Sequence, residues 1–187
     1  MILLPLPPTS MPLICEAPPK RPANIEPRSI GELYRMFAEL FLADNAEIVS
    51  RCGHRITVFK YHFFHLAGIQ IGGEDERLFM FQEEAAIVSN LADFGKFNLK
   101  ENGSRARHLP SALLTYREPD VVIEDHPSAE ARWIYLKEYD GAPHPFSVAF
   151  VTDRPDEGGI LVPTSSWKCD KYSAKKWLRD EGKKIYP

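Results

Sequence analysis

Proline placement constrains this chain more than any other feature: eight of its 16 prolines fall within residues 1–27. Proline fixes φ at about −65° and removes a backbone donor, so so dense a stretch sustains neither a helix interior nor a central strand. Residues 1–28 are therefore expected to form a proline-rich extended arm or linker. It is either a loose tail or, through its leucines, a strand docked on the body. The regular fold is left to residues 29–187, a length that suits one domain.

The opening MILLPLPPTSMPLIC is apolar, but no Lys or Arg precedes Lys20 and proline interrupts the run, which does not fit a signal peptide. Ile14 stands before Cys15 where lipoprotein processing calls for a small residue. No stretch approaches the roughly 18 uninterrupted apolar residues of a membrane span. Cys15, Cys52 and Cys169 are odd in number and widely spaced, so they supply neither a disulfide framework nor a C-x-x-C knuckle. A cytoplasmic protein with no membrane partner is expected.

With 44% apolar and 26% charged residues, wholesale disorder is excluded. The net charge of −3 argues against a protein that coats nucleic acid non-specifically. That average hides a gradient. Residues 1–117 balance 13 basic against 13 acidic side chains, 118–164 hold 3 against 10, and 165–187 hold 7 against 3. An acidic total thus leaves room for a basic working face.

Ser29-Ile30-Gly31-Glu32 fits a capping box, and Ile30, Leu33, Tyr34, Phe37, Leu40 and Phe41 keep helical spacing to about Ala43. Arg55 to Phe64 reads as a strand, Gly72-Gly73 as a loop and Glu76 to Leu91 as a helix with one apolar face. A short helical turn is expected over Leu109–Leu114. Strands follow at Val121–Glu124, Trp133–Tyr139, Phe146–Val151 and Ile160–Ser165, then a basic amphipathic tail from about Ser173 to Lys184. Helices first and a meander afterwards make an α+β domain.

Several polar residues invite two readings each. Cys52-x-His54 and His62-x-x-His65 offer four zinc ligands, but on a strand positions 62 and 65 face opposite sides, which separates the imidazoles. His65, inside an apolar run, is either a hydrogen-bonded core histidine or a placed functional group. Arg105, Arg107 and His108 make either a phosphate-holding cluster or a solvated loop. Lys137 shares a strand face with Tyr135 and Tyr139, a face that is either a ligand surface or a wet outer side. Thr164-Ser165-Ser166 either hydrogen-bonds a phosphate or caps a turn. Lys168, Lys171, Tyr172, Lys175 and Lys176 interleave with Trp167 and Trp177. Basic and aromatic side chains so mixed grip single-stranded nucleic acid, or form an amphipathic helix with its lysines in water.

Taken in order, these pieces resemble one family. Phe63-Phe64-His65-Leu66-Ala67-Gly68-Ile69 resembles the F-x-H-L-x-G-[IL] signature of the phage and prophage branch of the barnase–EndoU–colicin–RelE-like (BECR) nucleases. Similar, too, are Arg105 and Arg107 before Leu109-Pro110, and Pro119-Asp120 leading a strand. The Tyr135-Leu136-Lys137 strand, the Phe146–Val151 strand, Thr164-Ser165, Lys171-Tyr172 and the closing Ile185-Tyr186 complete the order. The resemblance spans about Ser29 to the C-terminus. It departs at Ser166-Trp167, where an aromatic directly after the Thr-Ser pair is expected.

The resemblance implies N-terminal helices packed on a four-stranded antiparallel sheet, and a ribonuclease that needs no metal or other cofactor. Such enzymes are often toxins or mobile-element effectors, so the implied partners are an RNA substrate and an immunity or antitoxin protein. Cleavage by 2′-OH attack on the adjacent phosphate needs a base, cations and an acid. The resemblance assigns His65 to proton transfer, a role that suits a histidine's ordinary titration range. It assigns Arg105 and Lys137 to phosphate charge, Thr164 and Ser165 to orienting oxygens, and Tyr172 to base stacking or proton donation. Arg107, His108, Lys168 and Lys171 are then RNA-binding residues. The competing expectation is an inactive RNA- or protein-binding module of the same fold.

Overall fold

The computed structural model describes residues 24–27, 29–69, 82, 86, 105–125, 131–139, 146–155, 158–179 and 183–186. The expected helix over Glu76–Leu91 and the Gly72-Gly73 loop fall outside them, save Gln82 and Ala86, as does the arm before Asn24. Helix α1 (Ile30–Phe37) begins where its cap demands, with Ser29 Oγ accepting from the Glu32 amide at 3.1 Å. It continues as one π-helical segment over Ala38–Leu42, and the buried Phe37 and Phe41 rings stack 5.2 Å apart. Asn45 and Ala46 then adopt φ of 63° and 56°, reversing the chain into a hairpin. That hairpin is β1 (Glu47–Val49) and β2 (Arg55–Thr57), with buried Ile48 opposite buried Ile56.

The strand expected from Arg55 to Phe64 stops at Thr57, and His62–Ala67 is helix α2. Phe63, Phe64, Leu66 and Ala67 are spaced for one helical face, and all four are buried in the same core. Gly68 closes the helix in the left-handed region (φ 73°), after which the Ile69 amide donates to the Phe64 carbonyl at 2.8 Å. Helix α3 (Leu109–Arg117) is longer than the expected single turn and starts with Pro110 in its first turn, where the missing N–H costs nothing.

Strands β3 (Val121–Glu124), β4 (Trp133–Glu138), β5 (Phe146–Arg154) and β6 (Ile160–Cys169) form the expected antiparallel meander. The sheet does not stop at four strands. Its order is β1-β2-β6-β5-β4-β3-β7, seven strands among the described residues. β2 joins β6 in parallel through the single pair Ile56↔Leu161. The amphipathic tail divides into helix α4 (Lys171–Arg179) and an edge strand β7 (Lys183–Tyr186) antiparallel to β3. The chain is therefore α+β with a mixed sheet, larger than the four-stranded antiparallel one expected.

Strand alternation sends side chains to two cores. The inner face carries Tyr135, Ala149 and Val151 against α1, α2 and α3, with Leu33, Phe37, Phe63 and Tyr116 buried between the layers. The outer face carries Ile134, Leu136, Val148 and Phe150 against α4, with Trp167 and Trp177 at its margin. Between Phe150 and Val151 the β5–β6 register shifts, leaving Thr164 as the extra residue of a bulge. Buried Tyr116 donates its hydroxyl toward the two carbonyls at this bulge, Phe150 O at 3.3 Å and Ser165 O at 3.1 Å.

Candidate functional site

The short helical turn 105–107, with His108 behind it, carries three of the expected residues, Arg105, Arg107 and His108. Its side chains leave in three directions. Arg105 crosses beside Gly68 and places its guanidinium 5.3 Å over the Trp167 ring. A Cβ on Gly68 would sit 2.7 Å from Arg105 Cδ, so this glycine is demanded twice, by its positive φ and by that approach. His65, exposed on α2, lies one turn before Gly68, which donates its amide to the His65 carbonyl. Two pieces of sequence about forty residues apart thus share one surface. Trp167 in turn stacks on Phe150 at 4.7 Å and meets Trp177 edge-on.

Arg107 points the other way, to Glu26, with Nε 3.0 Å from the carboxylate. His108 turns inward. Its Nε2 lies 2.9 Å from Ser147 Oγ, Ser147 lies 2.6 Å from Thr115 Oγ1, and Thr115 lies 2.7 Å from the Ser111 carbonyl. Thr115 Oγ1 donates toward Ser147 Oγ, and the Ser111 carbonyl that it also approaches accepts from the Tyr139 hydroxyl at 3.1 Å as well. His108 Nδ1 has no partner among the described residues. A neutral ring is what burial favours: desolvation, with Lys168 adding to it, lowers His108 to about 3.

Ser147 is also the middle of a cross-strand row, Lys137↔Ser147↔Lys168. The two lysines have opposite fates. Lys137 is buried, donates to the Glu118 carbonyl at 2.6 Å and pairs with Asp120 at 3.7 Å. Neither expected reading of its face holds, because Tyr135, Lys137 and Tyr139 all lie buried beneath α3. Lys168 stays exposed at the rim, with Nζ 3.4 Å from Asn24 Oδ1. Beyond Leu161, β6 has no strand on its α2 side among the described residues, and α2 packs there instead. Arg105 lies at this α2–β6 margin, between Gly68 and the Trp167 ring, and Lys168 is exposed near the end of the strand.

The remaining expected residues are scattered. Thr164 occupies the bulge and Ser165 faces outward opposite Phe150. Tyr172, 76% exposed, and Lys171 begin α4 on the outer side. Lys137 and His108 are therefore corrected: both are buried members of inner hydrogen-bond networks, not groups presented to a ligand. The zinc pattern does not assemble either. His62 is buried, its Nδ1 accepts from the Phe59 amide at 2.9 Å, and burial lowers it to about 3. Among the described residues no three His, Cys, Asp or Glu side chains converge as metal ligands.

One polar cluster escaped the sequence reading. Tyr135, whose hydroxyl is pushed up mainly by burial, shares a hydrogen bond with His54 Nδ1, and desolvation holds His54 below its ordinary value. Cys52 Sγ lies 4.0 Å from the same hydroxyl and 3.2 Å from Ser50 Oγ. The Cys-x-His spacing was visible, but nothing in the sequence named Tyr135 as the group that joins them. Apart from this, a cavity of about 330 Å³ is lined by Leu42, Ala46, Val58, Phe59 and Lys60, and none of the expected site residues is among them. No helix among the described residues is long and apolar enough to cross a membrane.

Comparison with models of known protein families, with curated proteins and with solved structures gives no match.

Proposed function

We propose that the protein binds single-stranded RNA along the margin between β6 and α2 and cleaves it without a metal, as the BECR-like resemblance implies. One observation carries this reading: the Arg105 guanidinium lies over Trp167 and against Gly68, one helical turn from His65. The guanidinium is a cation for a phosphate, and an imidazole stands exposed on the neighbouring helix; Arg105 and Phe150 take the faces of Trp167, so that ring orients the cation. His65 takes the 2′-OH proton, the 2′-oxygen bonds to phosphorus, and the P–O5′ bond breaks as O5′ takes a proton from solvent water, leaving a cyclic phosphate and a 5′-OH. Arg105 offsets charge on the phosphate, Lys168 and Arg107 hold neighbouring phosphates, and exposed Tyr172 and Lys171 extend the track toward α4. Lys137 has no direct part, because Glu118 and Asp120 already hold it. The four-stranded meander β3–β6, with helices on its inner face, is the part of the fold that supports the family reading.

The purified protein is expected to degrade RNA in EDTA and to leave 2′,3′-cyclic phosphate ends. His65→Ala should slow this by about 100-fold or more, and Arg105→Ala by a similar factor. Intact RNA after prolonged incubation with the wild type at several pH values removes catalysis from the proposal.

A second reading has its own observation. Cleavage moves two protons, while His62 and His108 are buried and Lys137 is committed, so His65 is the one exposed histidine around the 105–108 turn among the described residues. An RNA-binding module without activity fits that scarcity. It predicts RNA binding with no cleavage and equal behaviour of wild type and His65→Ala.

A further inference from the structure

We infer that residues 24–27 form an internal strap that competes with anionic ligands for the rim cations. The proposal rests on the reading of that rim as an RNA site and adds its regulation. Four consecutive residues alternate in role. Ile25 packs against the inner core and Pro27 is buried, so the segment is fastened from below. Asn24 and Glu26 are exposed, and each meets one rim cation: Asn24 Oδ1 accepts from Lys168 Nζ at 3.4 Å, and the Glu26 carboxylate lies 3.0 Å from Arg107 Nε. The strap's oxygens thus stand where phosphate oxygens of a bound strand would stand. Proline at 27 restricts the backbone just before the α1 cap, which limits how far the anchored end swings.

The contacts are of the displaceable kind. Arg107 and Glu26 keep 47% and 66% of their side-chain surface, so water and salt screen the pair, and a polyanion carrying several phosphates outcompetes it. A mild brake is expected, not a block. Removing it should raise affinity by about threefold to fivefold at low salt, with the gain shrinking as salt rises.

The test uses the full-length chain and fluorescence anisotropy with a labelled single-stranded RNA, alongside calorimetric titration with inorganic tripolyphosphate. The double variant Asn24→Ala/Glu26→Gln is expected to bind both probes about threefold to fivefold tighter than the wild type, and Arg107→Ala to bind both more weakly. Equal or weaker binding of both probes by the double variant overturns the strap. If RNA binds neither the wild type nor the double variant while tripolyphosphate binds the double variant more tightly, the strap stands and the RNA reading falls. If Arg107→Ala weakens RNA binding but the double variant matches the wild type, the RNA site stands and the strap falls.

Discussion

Lys137 and Lys168 close the two ends of one cross-strand row through Ser147, yet they belong to different regions of the molecule. On the β4 side α3 covers the row, and Lys137 is buried beneath it. On the β6 side no further strand follows beyond Leu161 among the described residues, and Lys168 is exposed. A lysine's role here is set by what covers its strand. A buried ammonium is tolerated only when its protons are taken up, as Glu118 O and Asp120 do. An exposed one, such as Lys168 with its Asn24 contact, contributes little to stability.

The largest expected effect breaks this pair apart. Lys137→Ala should cost about 2 kcal/mol by urea unfolding, because it leaves the Glu118 carbonyl without its donor and removes a buried side chain beneath α3. Lys168→Ala should stay within about 0.5 kcal/mol of the wild type. RNA affinity should invert the order, with Lys168→Ala weaker and Lys137→Ala near the wild type once folded. A Lys168 variant that unfolds as readily as the Lys137 one would erase the distinction between the regions.

The histidines sharpen the same contrast. His62 and His65 share helix α2, one buried and one exposed, and His108 lies buried behind the 105–108 turn. His62 and His108 are each held at about 3 by burial, whereas an unfolded chain protonates them near 6.5. Between those values the unfolded state binds more protons, so stability rises with pH and is lost as pH falls through about 6.5 toward 3. From about pH 7.5 to pH 5 each buried histidine should cost about 2 kcal/mol. His108→Gln, which keeps a polar partner for Ser147, should remove roughly half of that slope in urea midpoints.

Sequence patterns conveyed the framework well where one periodicity dominated. Ser29 and its apolar spacing located α1, and alternation with turn residues located all four strands of the meander. They failed where two periodicities compete. In His62-Phe63-Phe64-His65-Leu66-Ala67 the residues suit either element, and Gly68 with its positive φ decided for helix. The hairpin strand β1 and the edge strand β7 are only three and four residues long and carry little alternation to read. For the site, residue types were legible but directions were not. Arg105, Arg107 and His108 are near neighbours that leave to Trp167, Glu26 and Ser147. Only the register of β4, β5 and β6 reveals that Lys137 and Lys168 share a row and that α3 lies over one end.

The smallest effect tests the comparison on two tyrosines. Tyr116, fully buried, gives one proton to the two carbonyls that the β6 bulge releases, while Tyr172 on α4 is 76% exposed. Tyr116→Phe should cost about 1 kcal/mol, the usual net worth of a buried hydrogen bond whose acceptors lose their donor. Its effect on RNA binding should be less than about twofold, since the hydroxyl meets the bulge from the inner face. Tyr172→Ala should do the reverse. Its stability should match the wild type within about 0.5 kcal/mol, and its affinity for single-stranded RNA should fall by about fivefold, the lower end of a lost base–aromatic stack. Unchanged RNA affinity in Tyr172→Ala would confine the binding track to the margin between β6 and α2, with α4 serving the outer core through Ala174, Trp177 and Leu178 alone.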